Sequence, residues 1–184
     1  MLSEKETTRI SKFLSLVLRH EPEAIELHLN ENGWADVKEL IEKMNEHHFG
    51  ITRKILNDVV ATNNKQRFAF NDDKSKIRAN QGHSIQVDLH LKQENPPVYL
   101  YHGTAEKAVA SILKTGIQKR ARHHVHLSVD IPTAIAVGKR HGKPKAFIIS
   151  AQQMQKDGYT FYVSQNNVWL TDHVPVKYLK LLDE

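Results

Sequence analysis

Residues 65–79 read KQRFAFNDDKSKIRA. In KQRFAF, Phe68 and Phe70 fall on one side of an extended strand and Arg67 on the other, because strand side chains alternate. Asn71, Asp72 and Asp73 supply turn chemistry, and SKIRA resumes a second short strand, so the stretch predicts a hairpin.

Three amphipathic helices are predicted before it. Ser3 and Glu6 form a capping box for the first, whose apolar stripe is Ile10, Phe13, Leu14, Val17 and Leu18. Gly33 and Trp34 precede a second, with Val37, Leu40, Ile41 and Met44 facing inward. Thr52 caps a third that carries Ile55, Leu56, Val59 and Val60. Three helices followed by a two-stranded wing is the winged-helix pattern. We assign residues 1–80 to that lobe and residues 81–96, which alternate and then turn polar up to Pro96, to an inter-lobe segment.

Residues 97–184 alternate strand and helix signals. VYLYHGT predicts a strand running into a turn, and EKAVASILKTG a helix ended by Gly116. HVHLS predicts a short strand, followed by a helix opened by Asp130 and Pro132. KAFIIS is a further strand, YTFYVSQNNVWLT a hairpin turning at Asn166 and Asn167, and VKYLKLL the last strand. The fold class expected is α+β in two lobes.

Composition narrows the chemistry. The 184 residues contain no cysteine, which removes disulfides and thiolate catalysis and suits a reducing cytoplasm. No apolar run approaches membrane-spanning length, and MLSEKETTRI has no apolar signal core. Residues 1–80 carry 13 Lys/Arg and 13 Asp/Glu, whereas residues 81–184 carry 13 against 8, so the second half supplies the whole +5 charge. Within residues 114–145, Lys114, Lys119, Arg120, Arg122, Lys139, Arg140, Lys143 and Lys145 are opposed by Asp130 alone. Such a face either is simply solvated or meets a polyanion.

Neither a P-loop nor a strand-linked G-x-G-x-x-G occurs, so a nucleotide is not held in those cradles. His124 and His126 stand at i and i+2, either sharing a metal ion with His102, His123 or Asp130, or packing as ordinary histidines. LYHGT offers either a close backbone approach to a ligand or a tight turn beside a bystander histidine. Arg19, Arg67 and Arg140 lie on three separate elements, each either a surface residue or a forked phosphate donor. Arg19 and His20 close a core-packing helix that Pro22 stops.

Taken together, SKFLSLVLRHEPEAI, GWADVKELI, TRKILNDVVATNNKQRFAF, IRANQGHS, LYHGT, RHHVHLS, AVGKRHGKP and NNVWLTDHVP resemble the NAD-dependent RNA (tRNA) 2′-phosphotransferase family. They run in family order from residue 11 to 175. The resemblance implies a winged-helix RNA lobe and an ADP-ribosyltransferase-like NAD-binding lobe. It implies the catalytic tetrad Arg19, His20, Arg67 and Arg140, the first three from one lobe and the last from the other. It also implies that His102, Gly103, Thr104, His126, Leu127, Ser128, Val168 and Trp169 line the NAD pocket. Lys139 departs from many relatives, but Arg140 beside it is retained.

The implied reaction consumes NAD+ without hydride transfer. An internal RNA 2′-phosphate, as in tRNA splicing, attacks the anomeric carbon of the nicotinamide riboside and expels nicotinamide. The ribose O2″ then attacks phosphorus and releases the RNA 2′-hydroxyl with ADP-ribose 1″,2″-cyclic phosphate. No metal is expected, because guanidiniums neutralise the phosphate, and no obligate protein partner is evident; a monomer is expected. Two other classes remain in view. One is an ADP-ribosyltransferase acting on nucleic-acid phosphate ends or protein. The other is a non-catalytic winged-helix regulator, which accounts for the wing but not for LYHGT, HVHLS and GKRHGKP occurring together.

Overall fold

Helix α1 (Glu4–Arg19) begins where the sequence supplies a reciprocal cap. The Glu6 N–H donates to the Ser3 hydroxyl at 3.2 Å, and the Ser3 N–H donates to the Glu6 carboxylate at 2.9 Å. The computed structural model describes residues 2–182, which fall into two compact units dividing between His90 and Leu91. The division lies inside the segment 81–96.

In the first unit, α1 buries Ile10, Leu14, Val17 and Leu18, with Phe13 packed at the core edge. Strand β1 (Ala35–Asp36) leads into α2 (Val37–Glu46), whose first turn is capped by Asp36 accepting from the Lys38 and Glu39 N–H groups. Thr52 caps α3 (Arg53–Ala61) by accepting from the Ile55 N–H at 3.2 Å. Strands β2 (Phe68–Phe70) and β3 (Lys76–Ala79) pair antiparallel with Phe68 opposite Ala79 and Phe70 opposite Ile77. The three helices and this sheet share a core of Leu14, Val17, Leu40, Met44, Leu56, Phe68 and Ile77. Each such side chain contributes about 1.5–3 kcal/mol by leaving water.

Three expectations change here. The sheet has three strands in the order β1-β3-β2, because the two-residue β1 adds an edge too short to read as a periodic pattern. The hairpin turn runs on through Lys74, which adopts a left-handed φ of 57°. The alternating residues 84–90 form no ladder. Gly82 at φ 85° and His90 at φ 49° bend the chain, and its backbone groups bond to helix ends and loops instead.

In the second unit, β4 (Lys92–Gln93) precedes β5 (Leu100–Ala105), α4 (Glu106–Thr115) and β6 (Ile117–Gln118). Next come β7 (Val125–Leu127), α5 (Ile131–Gly138), a 3₁₀ turn at Lys139–His141 and β8 (Pro144–Ile149). Helix α6 (Ala151–Lys156), β9 (Tyr162–Val163), β10 (Trp169–Thr171), β11 (His173–Val174) and β12 (Leu179–Leu181) complete it. The sheets run β12-β8-β5, β4-β9-β10-β7 and β11-β6, with all neighbours antiparallel. The core is built on Leu100, Leu127, Phe147, Ile149, Met154 and Phe161. The architecture as a whole is helices with several small antiparallel sheets, in keeping with α+β.

LYHGT is strand throughout, not a strand followed by a turn: His102, Gly103 and Thr104 pair in register with Phe147, Ala146 and Lys145. The glycine answers to packing, because a Cβ on Gly103 would lie 1.6 Å from the Ala134 carbonyl oxygen of α5. One on Gly138 would lie 2.6 Å from the Thr104 carbonyl oxygen, so the two glycines let α5 rest directly on β5. VKYLKLL is strand only over its last part, since Val176–Tyr178 forms a 3₁₀ turn. Helix α6 escapes the sequence pattern because it is one and a half turns long and buries only Ala151 and Met154.

Candidate active site

Arg19 is the last residue of α1, and its carbonyl accepts from the Ser84 N–H at 2.9 Å and the Ile85 N–H at 3.4 Å. The helix stops there because Pro22 has no N–H to continue the ladder and disfavours helical backbone at Glu21. His20 is the C-cap, donating its N–H to the Leu16 carbonyl while its ring Nδ1 lies 2.9 Å from the Ser84 hydroxyl. One serine therefore holds both residues, Arg19 through its backbone and His20 through its side chain. Both side chains are only partly buried.

Arg67 stands immediately before β2, with its backbone clamped. Its N–H donates to Asn63 Oδ1 at 3.2 Å, and its carbonyl accepts from the Asn80 N–H at 2.9 Å. The Asn80 side chain in turn donates to the Gln66 carbonyl at 2.6 Å. The guanidinium Nη1 reaches the same Asn63 oxygen at 3.4 Å, and Asn63 is itself tied to Ser11 of α1 at 3.1 Å. Burial lowers the Arg67 pKa, although arginine stays charged at any working pH. Among the described residues no carboxylate pairs with it. A partly desolvated cation held by a neutral amide keeps its charge for an incoming anion, and the lower local dielectric strengthens that attraction.

The loop 80–84 joins these two anchors, Asn80 at Arg67 and Ser84 at Arg19. Four residues span at most about 14 Å, so the backbone anchors of the two arginines are held to that reach. The fold thus brings Arg19, His20 and Arg67 to one part of the first unit. Ser84, Asn63 and Asn80 are positioning residues that the sequence did not single out. The signals available were the segment IRANQGHS and an asparagine four residues before Arg67.

In the second unit His102 sits on β5 with Nδ1 3.1 Å from the His126 carbonyl oxygen. That oxygen only accepts, so Nδ1 carries the proton and Nε2 presents a lone pair. Burial, reinforced by the positive Arg122, pushes the His102 pKa down and keeps the imidazole neutral. Ser128 is locked beside it, since Tyr101 and Ser128 exchange backbone hydrogen bonds of 2.9 and 2.7 Å. In the next sheet Leu127 lies opposite Trp169, and His126 opposite Leu170. Val168 is held by the Ser164 hydroxyl, which accepts from its N–H at 3.0 Å. His102, His126, Leu127, Ser128, Val168 and Trp169 therefore occupy one neighbourhood across β5, β7 and β10. Gly103 and Thr104 belong to the same strand but are buried, with α5 covering the glycine's Cβ side.

Arg140 lies in the exposed 3₁₀ turn after α5, which ends at Gly142 with φ 134°. The basic concentration around it is partly answered by residues distant in sequence: Lys119 pairs with Asp172 at 3.1 Å, and Lys143 with Glu106 at 3.0 Å. Asp130, the local counter-charge, is committed to capping α5 by accepting from the Thr133 N–H at 2.7 Å. His124 lies just before β7 with its ring edge-on to Tyr162 at 5.4 Å, and burial lowers its pKa. Among the described residues no three His, Asp or Glu side chains are grouped to hold a metal ion.

Residues 5–173 match the family described as RNA 2′-phosphotransferase, Tpt1 / KptA family. A probable RNA 2′-phosphotransferase of Flavobacterium johnsoniae is 54% identical over 179 residues, covering 97% of this chain and 98% of the relative. One from Acaryochloris marina is 53% identical over 175 residues, 95% of this chain and 97% of its own. One from Burkholderia lata is 48% identical over 184 residues, 100% of this chain and 95% of its own. With the family match spanning residues 5–173 and relatives 48–54% identical over nearly the whole chain, the chain belongs to the RNA 2′-phosphotransferase family.

Proposed function

We propose that this chain removes an internal RNA 2′-phosphate by transferring it to NAD+, which is consumed as a co-substrate. The observation that carries the reading is the arginine–histidine pair at the end of α1, fastened by Ser84, with Arg67 desolvated and free of any described carboxylate. We further read the first unit as a winged-helix RNA lobe, supported by three helices and a sheet ending in the β2–β3 hairpin. The second is read as an ADP-ribosyltransferase-like NAD lobe. A neutral His102 with an accepting Nε2, beside the Trp169 and Val168 surface, suits the hydroxyls of a ribose and the face of a nicotinamide ring. Among the described residues no helix is long and apolar enough to cross a membrane, and the reading places the enzyme in the cytoplasm acting on spliced tRNA.

NAD+ supplies an anomeric carbon carrying a stable leaving group. In the first step a 2′-phosphate oxygen forms a bond to that carbon and the nicotinamide nitrogen departs with the electron pair. The product is RNA joined through its 2′-phosphate to ADP-ribose. In the second step the ribose O2″ bonds to phosphorus and the RNA 2′-oxygen leaves, taking a proton. Negative charge then peaks on the phosphate oxygens, and Arg19, Arg67 and Arg140 stabilise it through paired N–H donors. His20 protonates the departing oxygen or donates to the phosphate, with Ser84 fixing its ring. His102, Gly103, Thr104, His126, Leu127, Ser128, Val168 and Trp169 hold the dinucleotide. No step calls for a metal.

Incubation with NAD+ and a 2′-phosphorylated oligonucleotide tests this. The expected products are 2′-hydroxyl RNA, nicotinamide and ADP-ribose 1″,2″-cyclic phosphate. A stable ADP-ribosylated RNA would instead favour an ADP-ribosyltransferase acting on nucleic-acid phosphate ends or protein. Absence of nicotinamide release would favour a regulator.

A further inference from the structure

Helix α1 carries a feature that the residues at its end do not use. On the side away from the buried stripe runs an open groove of about 900 Å³, walled by α1 and by Phe49. Its floor is aromatic: Phe13 and Phe49 stack with ring centres 4.2 Å apart and planes 28° from parallel. The Arg9 guanidinium lies over the Phe49 ring at 4.6 Å. Both rings are only partly buried, although they also cap the core edge. Lys5, Arg9 and Lys12 are exposed along the rim, against one lining carboxylate, Glu4. Glu6, on the same first turn, is turned back onto Ser3 by two hydrogen bonds, which also hold its pKa down.

The groove points at the residues already described. Arg9, Phe13, Leu16 and His20 recur at i, i+4, i+7 and i+11, the spacing of one helix face. At 1.5 Å per residue, Arg9 stands about 16 Å back along the helix from His20. A polyanion leaving the Arg19–His20 end along this face meets cations on its backbone side and flat apolar surfaces on the other. Single-stranded nucleic acid has that combination, because unstacked bases pack on aromatic rings and guanidinium planes while phosphates bind lysine and arginine. A helical duplex keeps its base faces stacked and has no use for such a floor.

We infer that this groove is a second RNA subsite, holding single-stranded nucleotides that flank the 2′-phosphorylated residue. Bases stack on the Phe13–Phe49–Arg9 surface, and phosphates pair with Lys5, Arg9 and Lys12. The inference rests on the reading of the chain as an RNA 2′-phosphotransferase. It extends recognition beyond the phosphate to the strand that carries it, so substrates with unpaired flanks are preferred to those buried in a helix.

The test separates the two ideas. Binding of a fluorescent, unphosphorylated single-stranded oligoribonucleotide is measured without NAD+, for the parent and for Arg9→Glu/Lys12→Glu. Both positions are exposed, so the fold is retained, and circular dichroism checks that. The variant is expected to bind at least tenfold more weakly, with the slope of log affinity against log salt smaller by about 1.4, two contacts at about 0.7 each. In turnover, KM for 2′-phosphorylated RNA rises, and the gap from the parent narrows as the flanks are shortened. Phe49→Ser, with folding checked likewise, weakens binding without changing the salt slope. Equal RNA binding by parent and double variant, or a KM gap independent of RNA length, overturns the subsite. So does a variant that changes only self-association, since the groove would then seat a second copy. A parent that binds the oligonucleotide through these residues yet releases no nicotinamide refutes the proposed reaction and leaves the subsite standing.

Discussion

Two arginines of the first unit meet the same loss of water and resolve it differently. Arg78, on β3, is buried and rests on the Trp34 ring at 4.5 Å, with Nη1 3.5 Å from the Asn32 carbonyl. Arg67 enters the neighbouring strand and meets only a neutral amide oxygen at 3.4 Å. Burial lowers the pKa of both. Arg78 has spent its charge on an aromatic face inside the protein, whereas under the proposed function Arg67 keeps its own for a phosphate from outside. Desolvation alone does not mark an anion site; the proposed site rests on desolvation against a neutral amide, with no described carboxylate or aromatic face answering the charge.

The largest effect expected from this contrast is on turnover. Arg67→Ala should lower kcat by about 100–1000-fold, the cost of removing one donor from a charge-stabilising site, with unfolding nearly unchanged. Arg78→Ala should do the reverse: a loss of about 2 kcal/mol in urea unfolding from a desolvated cation–π contact, with kcat within about twofold of the parent. If Arg78→Ala proved inactive but stable, the contrast would collapse. Smaller again is Ser84→Ala, which frees the His20 ring. One hydrogen bond of about 1 kcal/mol predicts roughly a fivefold drop in kcat and an altered pH–rate profile. Ser84→Thr should restore both, which a purely structural role would not require.

The smallest signal sits in the second unit. His102 is held below the ordinary imidazole value of 6.5, so below that pH the unfolded chain binds more protons than the folded one. Its contribution to stability is complete above pH 6.5 and is lost as pH falls through that value toward the lower folded pKa. Urea titrations should show this decline, and His102→Asn should flatten it.

Helices were legible wherever a cap and an apolar stripe coincided, as at Ser3 with Glu6 and at Thr52. Short strands were legible where alternation was bounded by turn residues, as at KQRFAF and KAFIIS. Strand β1 and helix α6 were not, because they span too little chain to show a period. LYHGT misled for a different reason. A glycine beside a histidine looks like a turn, but Gly103 exists to let α5 settle on β5, a demand set by a helix some thirty residues onward. Arg19, His20 and Arg67, the residues proposed for catalysis, were nameable from sequence and family resemblance. Their supports were not: Ser84 reaches His20 across 64 positions, and Asn63 reaches Ser11 across 52. Periodicity cannot encode contacts of that range.

Single-turnover reaction of Arg67→Ala with NAD+ and a 2′-phosphorylated RNA tests the central claim most directly, because it separates nicotinamide loss from phosphate release. The account predicts that nicotinamide appears while the RNA accumulates as its ADP-ribosylated 2′-phosphate. Release of 2′-hydroxyl RNA and ADP-ribose 1″,2″-cyclic phosphate at the parent rate would contradict it.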